Sequence, residues 1–239
     1  MPPAVRRSSL YASAVAMNNV GVALLDRGSA KYALATLKEA IKVLQRLTSG
    51  SPFSDSYEYE VQHMLRVSYR HLAEPKQQHQ ESSEVVVISY DRGMTTSTPR
   101  LSELSELPTF AIKIEDISTY ERHQVDIHSA ILLQNLAVAH LCFLRTVTNA
   151  AYGPQVQQAA VEIATLSYNI IAGMGDNEST TEYVLGVAAM SCLLKNLQAA
   201  KRDNEAADVY RRLKSFLSGL EGEQASEWLI RTNTAAGAA

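Results

Sequence analysis

Cysteine, glycine and proline are all scarce in this sequence. Of 239 residues, two are Cys, 11 are Gly and seven are Pro. Two cysteines in a chain this long exclude a disulfide-stapled scaffold. Cys142 and Cys192 lie inside apolar helical patterns, HLCFL and AMSCLL, and read as buried free thiols of a reducing compartment. So few chain breakers leave room for long regular elements. Charge of one sign is not in excess: 22 Lys and Arg face 25 Asp and Glu, a net charge of −3. That excludes a strongly basic nucleic-acid or membrane-surface protein, and an acidic disordered tail. A long apolar run is missing too. The best window, Val184–Leu194, has 11 residues and ends at Lys195, whereas a membrane span needs about 18.

The N-terminus has Arg6, Arg7 and several Ser and Ala, with no acid before Asp26. That composition is found in organelle transit peptides. Asn18 and Asn19 interrupt any secretory apolar core, and residues 10–47 read as one helical hairpin that cleavage would halve. The expectation is a cytoplasmic chain, with organelle targeting as the alternative. Asn177-Glu178-Ser179 is then a sequon without consequence.

What is present is helical periodicity. Leu10, Ala14, Met17, Gly21 and Leu24 recur in steps of four and three, the spacing of one helix face. Gly28 stops that helix. A second helix over 30–47 turns Ala33, Leu37, Ala40, Ile41 and Leu44 to one side. The short turn makes the two antiparallel neighbours. A third, 55–73, has Asp55 as N-cap with Glu58 at the capping-box position, and a stripe of Tyr57, Val61, Met64, Leu65, Ser68 and Leu72.

Residues 76–117 change character. A polar stretch leads into EVVVISY at 84–90, and TFAIKI follows at 109–114. These predict a two-stranded antiparallel ribbon inserted between helices. The Ser- and Thr-rich residues between them, 91–108, read as a mobile loop. Deleting 84–114 is then expected to spare helicity and to weaken partner or self-association.

Helices resume at a capping box, Ser118 to Glu121, with the stripe Val125, Leu132, Leu136, Ala139, Phe143 and Val147. Further helices are expected at 155–172 (Val156, Ala160, Ile163, Ser167, Ile170) and from a Ser179–Glu182 capping box to Lys201 (Leu185, Ala189, Cys192, Leu197). After a break at Asp203-Asn204 comes a helix over 205–220 (Ala206, Val209, Tyr210, Leu213, Phe216, Leu220). A short helix around Trp228 and a frayed, disordered tail at 232–239 close the chain. The fold expected is all-α: a single domain, 1–239, made of an antiparallel helix-hairpin stack with a two-stranded ribbon insertion.

The segment MNNVGVALLDRGSAKYALATLKEAIKVL resembles a tetratricopeptide repeat, on Val20-Gly21, Leu24, Gly28, Ala33, Leu37 and Ala40. Gly21 and Ala33 would let two helices approach closely, Gly28 suits the turn, and Ala40 leaves room for the next repeat. Met17 stands where the family often has Trp. Gln134-Asn135-Leu136-Ala137-Val138-Ala139-His140 echoes Asn18-Asn19-Val20-Gly21-Val22-Ala23-Leu24, and Ala206, Tyr210 and Leu213 echo Ala33, Leu37 and Ala40. The 34-residue period is not kept throughout. The resemblance implies a right-handed superhelix with a concave groove, here walled by Asn18, Val22, Leu25, Gln134, Asn135 and Val138, that holds a peptide or helix of another protein. Members that hold C-terminal carboxylates use a Lys and an Asn at places that carry Asn18 and Val22 here. Only Asn135 fits such a clamp, so an apolar or amide-bearing ligand suits the groove better.

Chemistry-bearing motifs are thin. Glu60-x-x-His63 has di-iron spacing but lacks its second copy and further inward Glu. His123 and His128 stand about 140° apart on a helix, which suits no shared metal. His140 reads as a buried, hydrogen-bonded inter-helix histidine, and Cys142 points away from it. No phosphate-loop, dinucleotide or nucleophile-elbow pattern is present. Arg6-Arg7-Ser8-Ser9 and Thr98-Pro99 resemble kinase targets on mobile segments. The function expected is a protein-interaction scaffold without catalytic activity, cofactor or metal, with self-association through 84–114 open. The alternative is an enzyme or cofactor-binding bundle, marked by an enclosed pocket of three or more convergent His, Asp or Glu.

Overall fold

The computed structural model describes residues 3–49, 53–74, 85–91, 94–95, 109–115, 122–146, 153–173 and 180–218. Along these the chain forms α1 (Pro3–Asp26), α2 (Ala30–Thr48), α3 (Asp55–Ala73), β1 (Val85–Asp91), β2 (Met94–Thr95), β3 (Thr109–Ile114), α4 (Arg122–Thr146), α5 (Gly153–Ala172), α6 (Thr180–Ala199) and α7 (Asp203–Ser218). It is an all-α protein with a small strand insertion. The capping boxes at 118–121 and 179–182, Thr98-Pro99, the Trp228 helix and the tail lie wholly or partly outside the described residues.

Adjacent helices pack as hairpins. α1 lies on α2, α4 on α5 and α6 on α7, while α2 meets α4 and α5 meets α6. The first turn works as its glycine suggests. Gly28 has φ 76°, and the N–H groups of Gly28 and Ser29 donate back to Leu25 and Leu24. A Cβ on Gly21 would come within 2.7 Å of the Leu37 side chain, so the bare position sets how closely α1 and α2 approach. Leu10, Ala14, Met17, Leu24, Ala33, Leu37 and Ala40 are buried completely.

α3 is a lighter element. Its N-cap is Ser54, whose hydroxyl accepts from the Tyr57 N–H, rather than Asp55, which opens the first turn. Only Val61 and Ser68 are buried on it. Polar bonds hold it to the stack: Thr36 Oγ1 to Ser68 Oγ, Gln62 Nε2 to Ser13 Oγ, and Arg6 to the Phe53 carbonyl and the Asp55 carboxylate. Arg6 to Ser9 therefore sit within ordered helix α1, not on a loose segment.

Other boundaries also moved. The break before α7 falls at Lys201, which adopts φ 56°, and Arg202 donates to the Leu197 carbonyl across it. Asp203 and Asn204 belong to α7. Tyr210, expected inward, is 37% exposed beside buried Ala206 and Leu213. The residues Val5–Asp26 and Gln124–Thr146 are long and apolar enough by composition to cross a membrane, which a search for unbroken apolar runs misses. Within this fold 67% and 72% of those windows are buried.

The strands differ most from expectation. β1 and β3 are parallel, in register from Val85↔Thr109 to Tyr90↔Ile114. The antiparallel partner of β1 is the two-residue β2, at Tyr90↔Thr95 and Asp91↔Met94. A parallel pair needs a crossover of a dozen or more residues, and residues 91–108 supply it. Nor is the insertion a satellite. β3 packs against α1, α4 and α6, and Phe110, Ala111, Ile112 and Ile114 are 0–3% exposed. The expectation that 84–114 could be removed without harm to the helices is therefore reversed.

Candidate functional site

The stack carries its own extended segment, gripped by carboxamides. In a strand the backbone groups of alternate residues point to the same side. On β3, the Phe110, Ile112 and Ile114 backbone faces away from β1, toward α1 and α4. Asn19 on α1 accepts from the Ile114 N–H at 2.9 Å and donates to the Ile114 carbonyl at 2.7 Å. Asn135 on α4 does the same for Ile112, at 2.8 Å and 2.7 Å. Each side-chain amide stands where the peptide group of another strand would stand. Asn18 adds a bond to the Ile112 carbonyl at 3.1 Å, and receives one from Asn135 at 2.8 Å that joins the two helices. Gln134 reaches the Phe110 carbonyl at 3.4 Å.

The two helices repeat one arrangement, shifted along the strand. Asn19 takes residue 114 and its neighbour Asn18 takes 112; Asn135 takes 112 and its neighbour Gln134 takes 110. One helix pair advances the contact by two residues, one full period of the strand. Asn18 stands ten residues before the left-handed Gly28; the same count back from Lys201 on α6 reaches Ser191 and Cys192. No carboxamide pair occupies that place, and among the described residues the last rung of the ladder is at Phe110. There Gln134 Oε1 is buried without a partner, and so is Thr109 Oγ1.

Of the residues expected to wall a groove, Asn18, Gln134 and Asn135 converge on β3. Val22, Leu25 and Val138 are buried in the apolar cluster that α1 and α4 share with α2 and α6. The groove walls are thus in contact with the chain itself. Asn19 and the β3 backbone were not singled out from sequence. The signals were there: the echo of Asn18-Asn19 in Gln134-Asn135, and the two-residue alternation of TFAIKI.

Elsewhere the buried polar groups are structural. His140 is 5% exposed; its Nδ1–H donates to the Leu136 carbonyl at 2.8 Å, one turn back on its own helix rather than across helices. Burial lowers its pKa, the Leu136 bond opposes that, and Lys38 adds to it. His128 is buried against Tyr11, whose hydroxyl bonds its Nδ1. Cys142 and Cys192 are thiols, neither of them part of a disulfide. Burial, reinforced by Cys142, pushes Cys192 up to about 12 against weaker lowering from Asn196 and Lys195.

One cleft of about 770 Å³ opens between α2 and α3, lined by Glu39, Arg46, Tyr57, Glu60, His63 and Met64 among others. Arg46 lies over the Tyr57 ring at 4.0 Å. Burial raises the Tyr57 pKa, Arg46 opposes it, and Glu39 and Glu60 add to it. Glu60 and His63 are exposed. Among the described residues, no group of three or more His, Cys, Asp or Glu is placed to hold a metal. Compared with protein-family models, with curated proteins and with solved structures, the chain matches none of them.

Proposed function

We propose that this chain is a non-catalytic protein-interaction module, a divergent tetratricopeptide-like stack whose inner helices receive extended polypeptide. One observation carries the reading: two carboxamide pairs, on equivalent helices, grip an extended backbone at a two-residue step. The step matches the sequence echo, which supports a repeat origin for α1 and α4. The partner is another protein. Two cysteines outside any disulfide suit a reducing compartment such as the cytoplasm. Self-association through 84–114 would have to use β1, because both edges of β3 are filled, one by β1 and one by carboxamides. A second reading, a ligand-binding bundle, draws on the α2–α3 cleft, whose volume lies in the range of small-molecule sites.

The test is affinity capture on the intact chain followed by cross-linking and mass spectrometry. The expected result is a specific protein cross-linked at Lys113 on β3. Retention of nothing above the bait-free control, or turnover of a small molecule by the purified chain, rejects the reading.

A further inference from the structure

We infer that the carboxamide ladder is a binding site for an extended apolar segment of a partner protein, and that residues 109–114 are its resident occupant. This rests on the interaction-module reading and gives the partner its chemistry. The ladder touches only backbone: the groups bonded by Asn18, Asn19, Gln134 and Asn135 on β3 are peptide N–H and C=O. A site that grips peptide groups holds any segment of suitable outline, as strand addition does.

The resident strand does not complete the site. Gln134 is 0% exposed, its bond to the Phe110 carbonyl is stretched to 3.4 Å, and its Oε1 is left without a donor. Beside it the Thr109 hydroxyl is orphaned as well. An occupant whose N–H at the Phe110 place reached Gln134 Oε1 would satisfy a buried acceptor, a gain on the order of tenfold in affinity.

The outline of β3 states what fits. The places of Phe110, Ile112 and Ile114 are apolar and enclosed, and that of Ala111 is fully enclosed and small. Lys113 is half-buried and marks a place that tolerates a long polar side chain. Proline is excluded at the 112 and 114 places, whose N–H groups are used. The partner segment therefore reads apolar, small, apolar, any, apolar, and runs parallel to β1. The resident has the advantage of its tether, an effective concentration on the order of millimolar. A free segment of the same sequence competes only in that range, and a partner must complete the Gln134 rung or engage β1 as well.

The experiment uses the full chain and a fluorescent peptide, LPTFAIKIED, copied from 107–116. Saturable binding up to millimolar peptide is expected, with faster hydrogen exchange at the Ile112 and Ile114 amides when peptide is present. N-methylation of the two matching peptide amides should abolish both effects. Ile114→Pro in the chain, which removes the N–H that Asn19 accepts at the strand's end, should tighten binding about tenfold or more. Absence of saturable binding to the intact chain overturns the inference. So does equal binding of the N-methylated peptide, or exchange of the two amides only on global unfolding. A captured partner indifferent to the peptide overturns the ladder as its site while leaving the interaction module standing. An empty capture with peptide binding does the reverse.

Discussion

A carboxamide side chain is a peptide group on a stalk, and that equivalence sets the worth of the residues around β3. Asn135 supplies one acceptor and two donations at a point sealed from water. Replacing it with Ala leaves the Ile112 N–H without its acceptor and should cost roughly 2–4 kcal/mol in urea unfolding, since each orphaned buried group costs about 1–3 kcal/mol. Asn135→Asp should be worse at neutral pH, because a buried carboxylate would face the Ile112 carbonyl and Asn18 Oδ1. It should recover as acid restores a donor proton. Two buried residues, His140 and Cys192, link stability to pH. His140 is held neutral by burial; its contribution is present above the unfolded histidine value of about 6.5 and is lost as pH falls below it. His140→Leu should flatten the stability profile below about pH 6.5. Cys192 is held protonated, with its value pushed up to about 12. Its contribution is present below the unfolded thiol value of about 8.5 and is lost as pH rises from there. In native protein at pH 8 a disulfide reagent should therefore titrate half-buried Cys142 and reach Cys192 only in denaturant.

Among elements, β1 and β3 are more central than their size suggests. Five of their side chains, Val85, Ile88, Phe110, Ile112 and Ile114, are buried. At about 1.5–3 kcal/mol each they contribute roughly 8–15 kcal/mol of burial, against which stands the entropy of ordering the strands. Deletion of 84–114 should thus abolish cooperative unfolding and most helical circular dichroism, an outcome opposite to the one a detached ribbon would give. The helices themselves were legible because burial on one face of a 3.6-residue period writes itself into sequence, as Leu10 to Leu24 and Ala33 to Leu44 show. α7 was read less well: Tyr210 falls on the apolar stripe but faces solvent, and an amphipathic ring tolerates either side. Strand direction was not legible, because alternation in TFAIKI fixes which residues share a face and says nothing of the partner. Nor was the site's occupant legible, since the bonds from Asn19 and Asn18 to β3 span 95 and 94 residues. The echo of Asn18-Asn19 in Gln134-Asn135 identified the jaws but not what they hold.

Among the described residues, two apolar clusters both draw on α1, α2, α4, α6 and the strands. No plane divides the described residues into halves with separate cores. Urea unfolding followed by far-ultraviolet circular dichroism and by tyrosine fluorescence should therefore give coincident single transitions; two resolved steps would show independent halves. The order of the grip along the chain has a further consequence. Asn18 and Asn19 are made before β3, and Gln134 and Asn135 after it. A nascent chain that ends before α4 holds one jaw and the strand, but not the jaw that closes over it. Until Gln134 and Asn135 have followed it out of the ribosome, β3 leaves Phe110, Ile112 and Ile114 with no finished place to go. Chaperone capture and aggregation both compete for apolar strands in that interval, so slowing synthesis between β3 and α4 is expected to lower the folded yield.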